Sequence, residues 1–396
     1  MRGRKDIMDK KKLHIESQLQ IHAGEDDQYQ SISYPIYQTA TFAHRGFKEQ
    51  TESTGYDYTR VANPTTRQLE LEMALLEGGA DAAAFASGMA AVTAVMETFK
   101  PGDHFVVDND LYGGSTRLFQ TINTKNGYEF TGIDFSTDDP EQFIRPNTKA
   151  FYLETPTNPM MHVTDLEKVS RIAKAHGILL IVDNTFLSPY YQQPIKWGAD
   201  YVIHSATKYI GGHNDTLGGF VVSATKELGT KIRDMIKITG NELAPIDSWL
   251  IMRGLMTLAV RMDRSQENAF RLAEWLQKNP HVTKVLYPGL PDSKGYEIMK
   301  KQATGFGGML TFEVDSAGFA HSILDHVELV RFAESLGGTE SLITYPITQT
   351  HSEVPKELLD KNGITDKVLR LSVGIENGDD LIAEFERVFA AAEKEN

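Results

Sequence analysis

Ser205-Ala206-Thr207-Lys208-Tyr209 follows the apolar strand candidate Tyr201-Val202-Ile203, and a second apolar run, Ile178 to Val182, ends just upstream in Asp183. Short apolar runs bounded by turn residues read as strands covered on both faces, the signature of a parallel sheet. In an open sheet of that kind, ligands bind beyond the carboxyl ends of the strands. Lys208 and Asp183 both leave that end, so an amine and a carboxylate are aimed at one edge. A partly desolvated lysine loses proton affinity and becomes a competent nucleophile toward an aldehyde. Taken alone, Lys208 could equally cap a strand and Asp183-Asn184 could simply make a turn, because a Ser-x-Thr-Lys match is weak by itself.

Outward from this pair the chain alternates strand and helix patterns. Asn63-Pro64-Thr65 opens a helix, with Thr65 and Gln68 spaced as a capping box and Gly78-Gly79 as its stop. Strands are expected at Ala82 to Ala86, His104 to Val107, Ala150 to Leu153, Ile178 to Val182, Tyr201 to Ile203 and Phe220 to Val222. Helical patterns lie at Ala90 to Phe99, Gly114 to Thr124, Asp165 to His176 and Pro189 to Trp197. Such alternation predicts an α/β fold with a mostly parallel central sheet. Residues 1–60 are polar, aromatic-rich and irregular, which reads as an extended arm; residues 61–250 carry the periodic α/β core. Beyond Pro245 comes a long apolar helix, Ile246 to Leu276. Strands near Val282 to Leu286, Met309 to Val314 and Leu369 to Val373, and a last helix from Asp379 to Glu393, follow without strict alternation. Residues 251–396 are therefore expected to form a smaller C-terminal α+β domain.

Composition narrows the function classes. A chain of 396 residues suggests two or three domains, and 41% hydrophobic with 24% charged residues is the balance of a soluble globular protein. A net charge of −14 argues against a nucleic-acid partner, whose phosphates need clustered Lys and Arg. There is no cysteine, so disulfides, thiolate metal sites and a catalytic thiol are excluded, in keeping with a cytoplasmic protein. Met1 to Lys12 is basic but is followed by no apolar stretch, and reads as a solvated tail rather than a secretory signal. The longest apolar run, around Gly177 to Val182, falls far short of a membrane span. His204, His213 and His351 lack metal-ligand spacing, and no metal is expected. Gly211-Gly212 and Gly305 to Gly308 do not form Gly-x-Gly-x-x-Gly, which disfavours a nicotinamide dehydrogenase.

Pyridoxal phosphate is the cofactor that needs an amine for its aldehyde, a carboxylate for its ring nitrogen and hydroxyls for its phosphate, here Lys208, Asp183, Ser205 and Thr207. Ser87-Gly88-Met89 joins a strand to a helix start, which aims backbone N–H groups and the positive helix end at an anion; a plain tight turn is the alternative. Tyr112, before Gly113-Gly114, could stack on a ring or be a core tyrosine. Tyr58 and Arg60, alternate residues of the arm, could grip a phosphate of a neighbouring subunit or belong to a solvated loop. Arg370, in Leu369-Arg370-Leu371-Ser372-Val373, points away from the leucines beside it and suits a carboxylate, either a substrate's or a structural one.

Together these residues resemble the transsulfuration family of pyridoxal-phosphate enzymes: the cystathionine γ-synthases and lyases, methionine γ-lyase and the homoserine-ester sulfhydrylases. The carriers are Tyr58-Thr59-Arg60 with Asn63-Pro64-Thr65, Ser87-Gly88-Met89, Tyr112-Gly113-Gly114, Glu154-Thr155-Pro156-Thr157-Asn158-Pro159, Val182-Asp183-Asn184-Thr185, Ser205 to Tyr209, and Arg370-Leu371-Ser372-Val373-Gly374. The resemblance implies an aspartate-aminotransferase-like fold, PLP fold type I, in a homotetramer of two tight dimers whose sites are completed by the neighbouring arm. It implies that Lys208 is the Schiff-base lysine and proton shuttle, Asp183 the pyridinium partner and Tyr112 the stacking group. Gly88, Met89, Ser205 and Thr207, with Tyr58 and Arg60 of the neighbour, would hold phosphate, and Asn158 would lie near the ring hydroxyl. Arg370, Ser341 and Glu340 are the implied substrate contacts.

Gly114 stands where methionine γ-lyases carry a cysteine, which lowers that subfamily. Glu340-Ser341 and Thr344 to His351 look most like γ-synthases that also act as homoserine-ester sulfhydrylases. Thr239-Gly240-Asn241-Glu242-Leu243 departs from the glycine- and alanine-rich version usual in the family. The resemblance therefore implies γ-replacement, joining cysteine or sulfide to an O-acyl-homoserine. A cystathionine lyase is the alternative, and a catalytically silent binding protein the second.

Overall fold

The computed structural model describes residues 9–24, 27–44, 46, 47 and 55–395; the first eight residues of the basic tail lie outside them. Seven strands make the larger sheet: β1 (Asp81–Phe85), β2 (His104–Asp108), β3 (Glu129–Ile133), β4 (Thr148–Glu154), β5 (Leu179–Asp183), β6 (Tyr201–Ser205) and β7 (Gly219–Ser223). Their order is β1-β7-β6-β5-β4-β2-β3, parallel from β3 to β6, with β7 antiparallel to both β6 and β1. The α/β reading with a mostly parallel sheet holds. The central strands are apolar throughout because helices cover both faces: Phe151, Leu180, Val182 and Val202 face one core, and Tyr152, Ile181, Ile203 and Val221 the other. All the parallel strands end on one edge, where Asp183, Glu154 and Ser205 terminate β5, β4 and β6.

Five strands form the smaller sheet: β8 (Val282–Leu286), β9 (Met309–Val314), β10 (Arg331–Phe332), β11 (Leu342–Thr344) and β12 (Val368–Ser372), in the order β10-β11-β12-β9-β8. On β12, Leu369 and Leu371 enter the apolar core beneath the helices Ala317–His326 and Gly378–Glu395. Arg370, between them, takes the other face, as period-two alternation requires.

Local departures have local causes. The helix Pro64–Glu77 is capped by Asn63, whose side chain accepts from the Thr65 N–H, and not by a Thr65/Gln68 box. The Thr65 hydroxyl instead accepts from Tyr37 N and donates to Pro35 O, while Gln68 Oε1 accepts from Gly24 N, so both tie down the arm. The single helix expected over Ile246 to Leu276 is two, Pro245–Leu255 and Leu258–Gln277. Between them the Gly254 carbonyl is claimed by the Thr257 N–H and the Arg261 guanidinium, which ends the i to i−4 ladder. Pro189 to Trp197 also divides, into Ser188–Tyr191 and a 3-10 turn Pro194–Trp197, because Pro194 has no N–H and pushes Gln193 out of helical space. Edge strand β3 carried no apolar alternation to announce it.

Candidate active site

The carboxyl edge of the larger sheet and the outward face of β12 enclose a cavity of about 210 Å³. Lys208, Asp183, Tyr112, Asn158, Gly88, Met89, Ser205, Thr207 and Arg370 all line it. Nine of the thirteen sequence-derived residues converge here from six segments: five leave the carboxyl edge of the larger sheet, where strands running one way release their chains, and the sixth, Arg370, comes from β12.

The Ser87 side chain caps the helix Gly88–Met96 by accepting from Ala90 N, leaving the N–H groups of Gly88 and Met89 without a helical partner. A Cβ on Gly88 would stand 2.9 Å from Ser205 Cβ, and one on Gly219 would stand 2.2 Å from Ser87 O. Glycine at both places lets the turn close against β6 and β7, so helix amides and the Ser205 and Thr207 hydroxyls form one anion cradle.

Asp183 Oδ1 accepts from both the Thr185 N–H (3.0 Å) and the Thr185 hydroxyl (2.5 Å). The same hydroxyl accepts from Ser205 N at 2.9 Å, tying the end of β5 to the end of β6. Burial pushes the Asp183 carboxyl up, and Glu154, its register partner on β4, is pushed well up by burial and then by Asp183. Two donors on Asp183 against one on Glu154, from Tyr112 N, leave the charge on Asp183 and the proton on Glu154.

Burial, then the charge of Arg370, holds the Lys208 ammonium down at about 8, and its Nζ donates to Ser335 Oγ at 2.8 Å. Arg370 is 1% exposed; Nη1 donates to Asn158 Oδ1 (3.0 Å), and Nη2 to Ser335 O (3.0 Å) and Thr344 Oγ1 (3.1 Å). Its Nε has no protein partner among the described residues. Tyr112 is 40% exposed at the mouth. A Cβ on Gly114 would meet the Tyr112 ring at 2.5 Å and Met89 Sδ at 3.0 Å, so the glycine gives the ring its place. A Cβ on Gly113 would stand 2.1 Å from Thr350 O, because the 345–351 segment lies directly on that turn.

Four sequence-derived residues lie elsewhere. Tyr58 and Arg60 are outside this cavity; Arg60 Nη1 donates to Lys237 O at 2.7 Å, and its guanidinium lies 5.5 Å from the Tyr58 ring centroid. Ser341 is fully buried away from the cavity, its hydroxyl donating to Glu376 and accepting from Gly374 N. Glu340 lines an adjoining cleft and accepts from Asn214 Nδ2 at 2.8 Å. The serine that meets Lys208 is Ser335, which with Glu334 went unread in the sequence, while Thr185, Glu154 and Thr350 stood there within motifs but without a role. A signal existed at Leu336-Gly337-Gly338: a glycine pair beside an apolar segment marks a close backbone approach, and a Cβ on Gly337 would lie 2.6 Å from Tyr209 N.

These residues fit pyridoxal phosphate: an anion cradle that a Cβ would fill, a carboxylate with one oxygen saturated and the other unclaimed, and a depressed amine. Among the described residues no group of His, Asp or Glu could hold a metal ion, and no helix is long and apolar enough to cross a membrane.

Comparison with known proteins agrees. Residues 17–390 match the family described as Cys/Met metabolism PLP-dependent enzyme. A Bacillus subtilis cystathionine gamma-lyase is 47% identical over 367 residues, 92% of this chain and 96% of that protein. A cystathionine gamma-synthase/O-acetylhomoserine (thiol)-lyase of the same organism is 46% identical, with 93% and 94% covered. A Lactococcus lactis cystathionine beta-lyase is 45% identical, with 92% and 96% covered. The crystal structure of a Lactobacillus plantarum cystathionine gamma-lyase complexed with L-serine superposes with a TM-score of 0.93 at 43% identity, covering 96% of this chain and all of that one. The chain belongs to the Cys/Met metabolism PLP-dependent enzymes; its fold is PLP fold type I and its cofactor pyridoxal 5'-phosphate.

Proposed function

We propose that this transsulfuration enzyme catalyses γ-replacement, joining L-cysteine or sulfide to an O-acyl-L-homoserine to give cystathionine or homocysteine. The observation that carries the reading is the buried Lys208 amine, which shares one cavity with Asp183 and Arg370. When bound, the cofactor supplies an electron-accepting ring that makes the substrate's Cα and Cβ protons acidic. Asp183, oriented by Thr185, keeps one carboxylate oxygen for the ring nitrogen. Ser335 holds the Lys208 amine, which is neutral often enough near pH 7 to take a proton from Cα and return one nearby. Arg370, with Asn158, Ser335 and Thr344 accepting three of its N–H bonds, keeps its remaining donors for the substrate carboxylate. Tyr112 would stack on the ring, and Gly88, Met89, Ser205 and Thr207 would hold the phosphate.

The cradle has hydroxyls and amides but no guanidinium of its own, and Arg60 lies outside it. This supports Tyr58 and Arg60 reaching the site of a neighbouring subunit; the homotetramer is what the family resemblance implies, and the cysteine-free sequence is in keeping with the cytoplasm. Glu334, on the cavity wall, favours a reactant that brings an ammonium group beyond that of the acyl-homoserine, as an incoming cysteine or the distal end of cystathionine does.

Replacement and elimination share these residues, and relatives of both kinds support the two readings, so a cystathionine lyase is the second one. Once the γ-leaving group has gone, the product depends on whether a thiol reaches Cγ before a proton does. Purified enzyme given cysteine and an acyl-homoserine is expected to yield mainly cystathionine and to suppress 2-oxobutanoate. Efficient cleavage of cystathionine with no use of acyl-homoserines would replace the synthase reading with the lyase one.

A further inference from the structure

Glu77 stands outside the active-site cavity and is fully buried. It is the last residue of the helix Pro64–Glu77, before Gly78 turns left-handed (φ +74°), so its carboxylate sits at the negative end of the helix dipole. Neither burial nor that dipole favours a charge there, and for stability alone an apolar side chain of the same volume serves as well. Two buried atoms of the surrounding network, Glu77 Oε2 and His204 Nδ1, have no protein partner among the described residues, so hydrogen-bond satisfaction is not the reason for the acid either.

Its neighbours give the reason. Glu77 Oε1 accepts from His204 Nε2 (2.6 Å) and from Asn184 Nδ2 (2.9 Å), and all three residues are fully buried. His204 immediately precedes Ser205 at the end of β6, and Asn184 immediately follows Asp183 at the end of β5. One carboxylate oxygen thus ties the neighbour of Asp183 to the neighbour of Ser205. Asn184 is itself fixed, for Nδ2 also reaches Gln192 O (2.7 Å) and Ser188 O (3.2 Å), and Oδ1 accepts from Gln192 Nε2 (3.0 Å). Period-two alternation sends His204 to the face of the sheet opposite Ser205. On the cavity side the Thr185 hydroxyl makes the matching tie, between Asp183 Oδ1 and Ser205 N. The ends of β5 and β6 are therefore held from both faces. The two faces also meet electrostatically: burial pushes the Asp183 carboxyl up, while the Thr185 donors and then His204 draw it back down.

We infer that Glu77, through His204 and Asn184, is a positioning residue for the cofactor site: it fixes the separation of Asp183 from Ser205, and so the fit of ring nitrogen and phosphate at once. This rests on the roles proposed above for Asp183 and Ser205.

Cofactor-free protein is titrated with pyridoxal phosphate, and the dissociation constant and absorption band are read beside the melting temperature. Glu77→Met with His204→Leu replaces both partners by apolar side chains of similar volume and leaves Asn184 its bonds to Ser188 and Gln192. The melting temperature should therefore stay near that of wild type. The dissociation constant should nevertheless rise by about tenfold to a hundredfold, the range for charge-assisted contacts, with a shifted band. Leu69→Ala, which opens a hole in the core beside the same helix, should do the reverse: a lower melting temperature with an unaltered band. A wild-type constant and band in the double variant overturn the inference. If that variant does not fold, Glu77→Gln, which keeps the acceptor and removes the charge, is combined with Thr185→Val. One joint held from two faces should then lose more affinity than the product of the single losses, and a simple product overturns the inference. Asp183→Asn and Ser205→Ala serve as references: if neither changes the constant or the band, the roles given to those two residues fall, and this inference with them.

Discussion

The depressed Lys208 amine gives the most exacting prediction. At about 8 in the folded chain, roughly one Lys208 in ten is neutral at pH 7, against about one in 2,500 for an ordinary lysine near 10.4. The site therefore presents about 200-fold more nucleophilic amine than an exposed lysine would. The sign follows from charge: neutral amine increases as pH rises. Covalent incorporation of pyridoxal phosphate into cofactor-free protein, followed by absorbance, should accelerate almost tenfold from pH 6 to 7 and level off by about pH 9. An ordinary lysine would keep accelerating to beyond pH 10. Arg370→Met removes the second cause of the depression but not the first, which is burial. Its inflection should therefore move above 8 and stay below 10.4, with slower capture at pH 7. An inflection already at 10 in wild type, or one that Arg370→Met leaves in place or lowers, would refute the electrostatic reasoning.

Four further outcomes are expected. Asp183→Asn should fold and turn over very poorly, because an amide cannot hold the ring nitrogen protonated; Thr185→Val should lose the two hydroxyl bonds linking Asp183 to Ser205 and give a shifted cofactor absorption band, which Thr185→Ser restores. A normal spectrum in Thr185→Val would show that the carboxylate needs no such support. Gly113→Ala should displace the 345–351 segment, since its Cβ would meet Thr350 O at 2.1 Å, and raise KM while helical content by circular dichroism stays unchanged; an unaltered KM would count against that docking. Mixed oligomers of Arg60→Ala and Lys208→Ala, each inactive or nearly so alone, should regain activity, and a mixture as inactive as its parents would argue that the site is not shared between subunits.

Much of this protein was legible in the chain itself. Local chemistry dictated the strand ends: apolar runs that must be covered on both faces, each stopping at Asp183, Ser205 or the Ser87-Gly88 turn, force a parallel sheet whose carboxyl edge collects those residues. Arg370 could be placed because a charge flanked by Leu369 and Leu371 must take the opposite face of β12. Ser335, Glu334 and the roles of Ser341 and Glu340 could not. These residues occupy one short stretch in which the chain turns at Ser335 with φ +92°, and nothing in its order says which serine meets the lysine. That choice is made by close approach: Gly337 against Tyr209 sets Ser335 on Lys208, while Glu376 draws Ser341 into the interior and Asn214 holds Glu340 at the neighbouring cleft. Periodicity reports which face a side chain takes, whereas contacts between segments tens to more than a hundred residues apart are fixed only by tertiary packing.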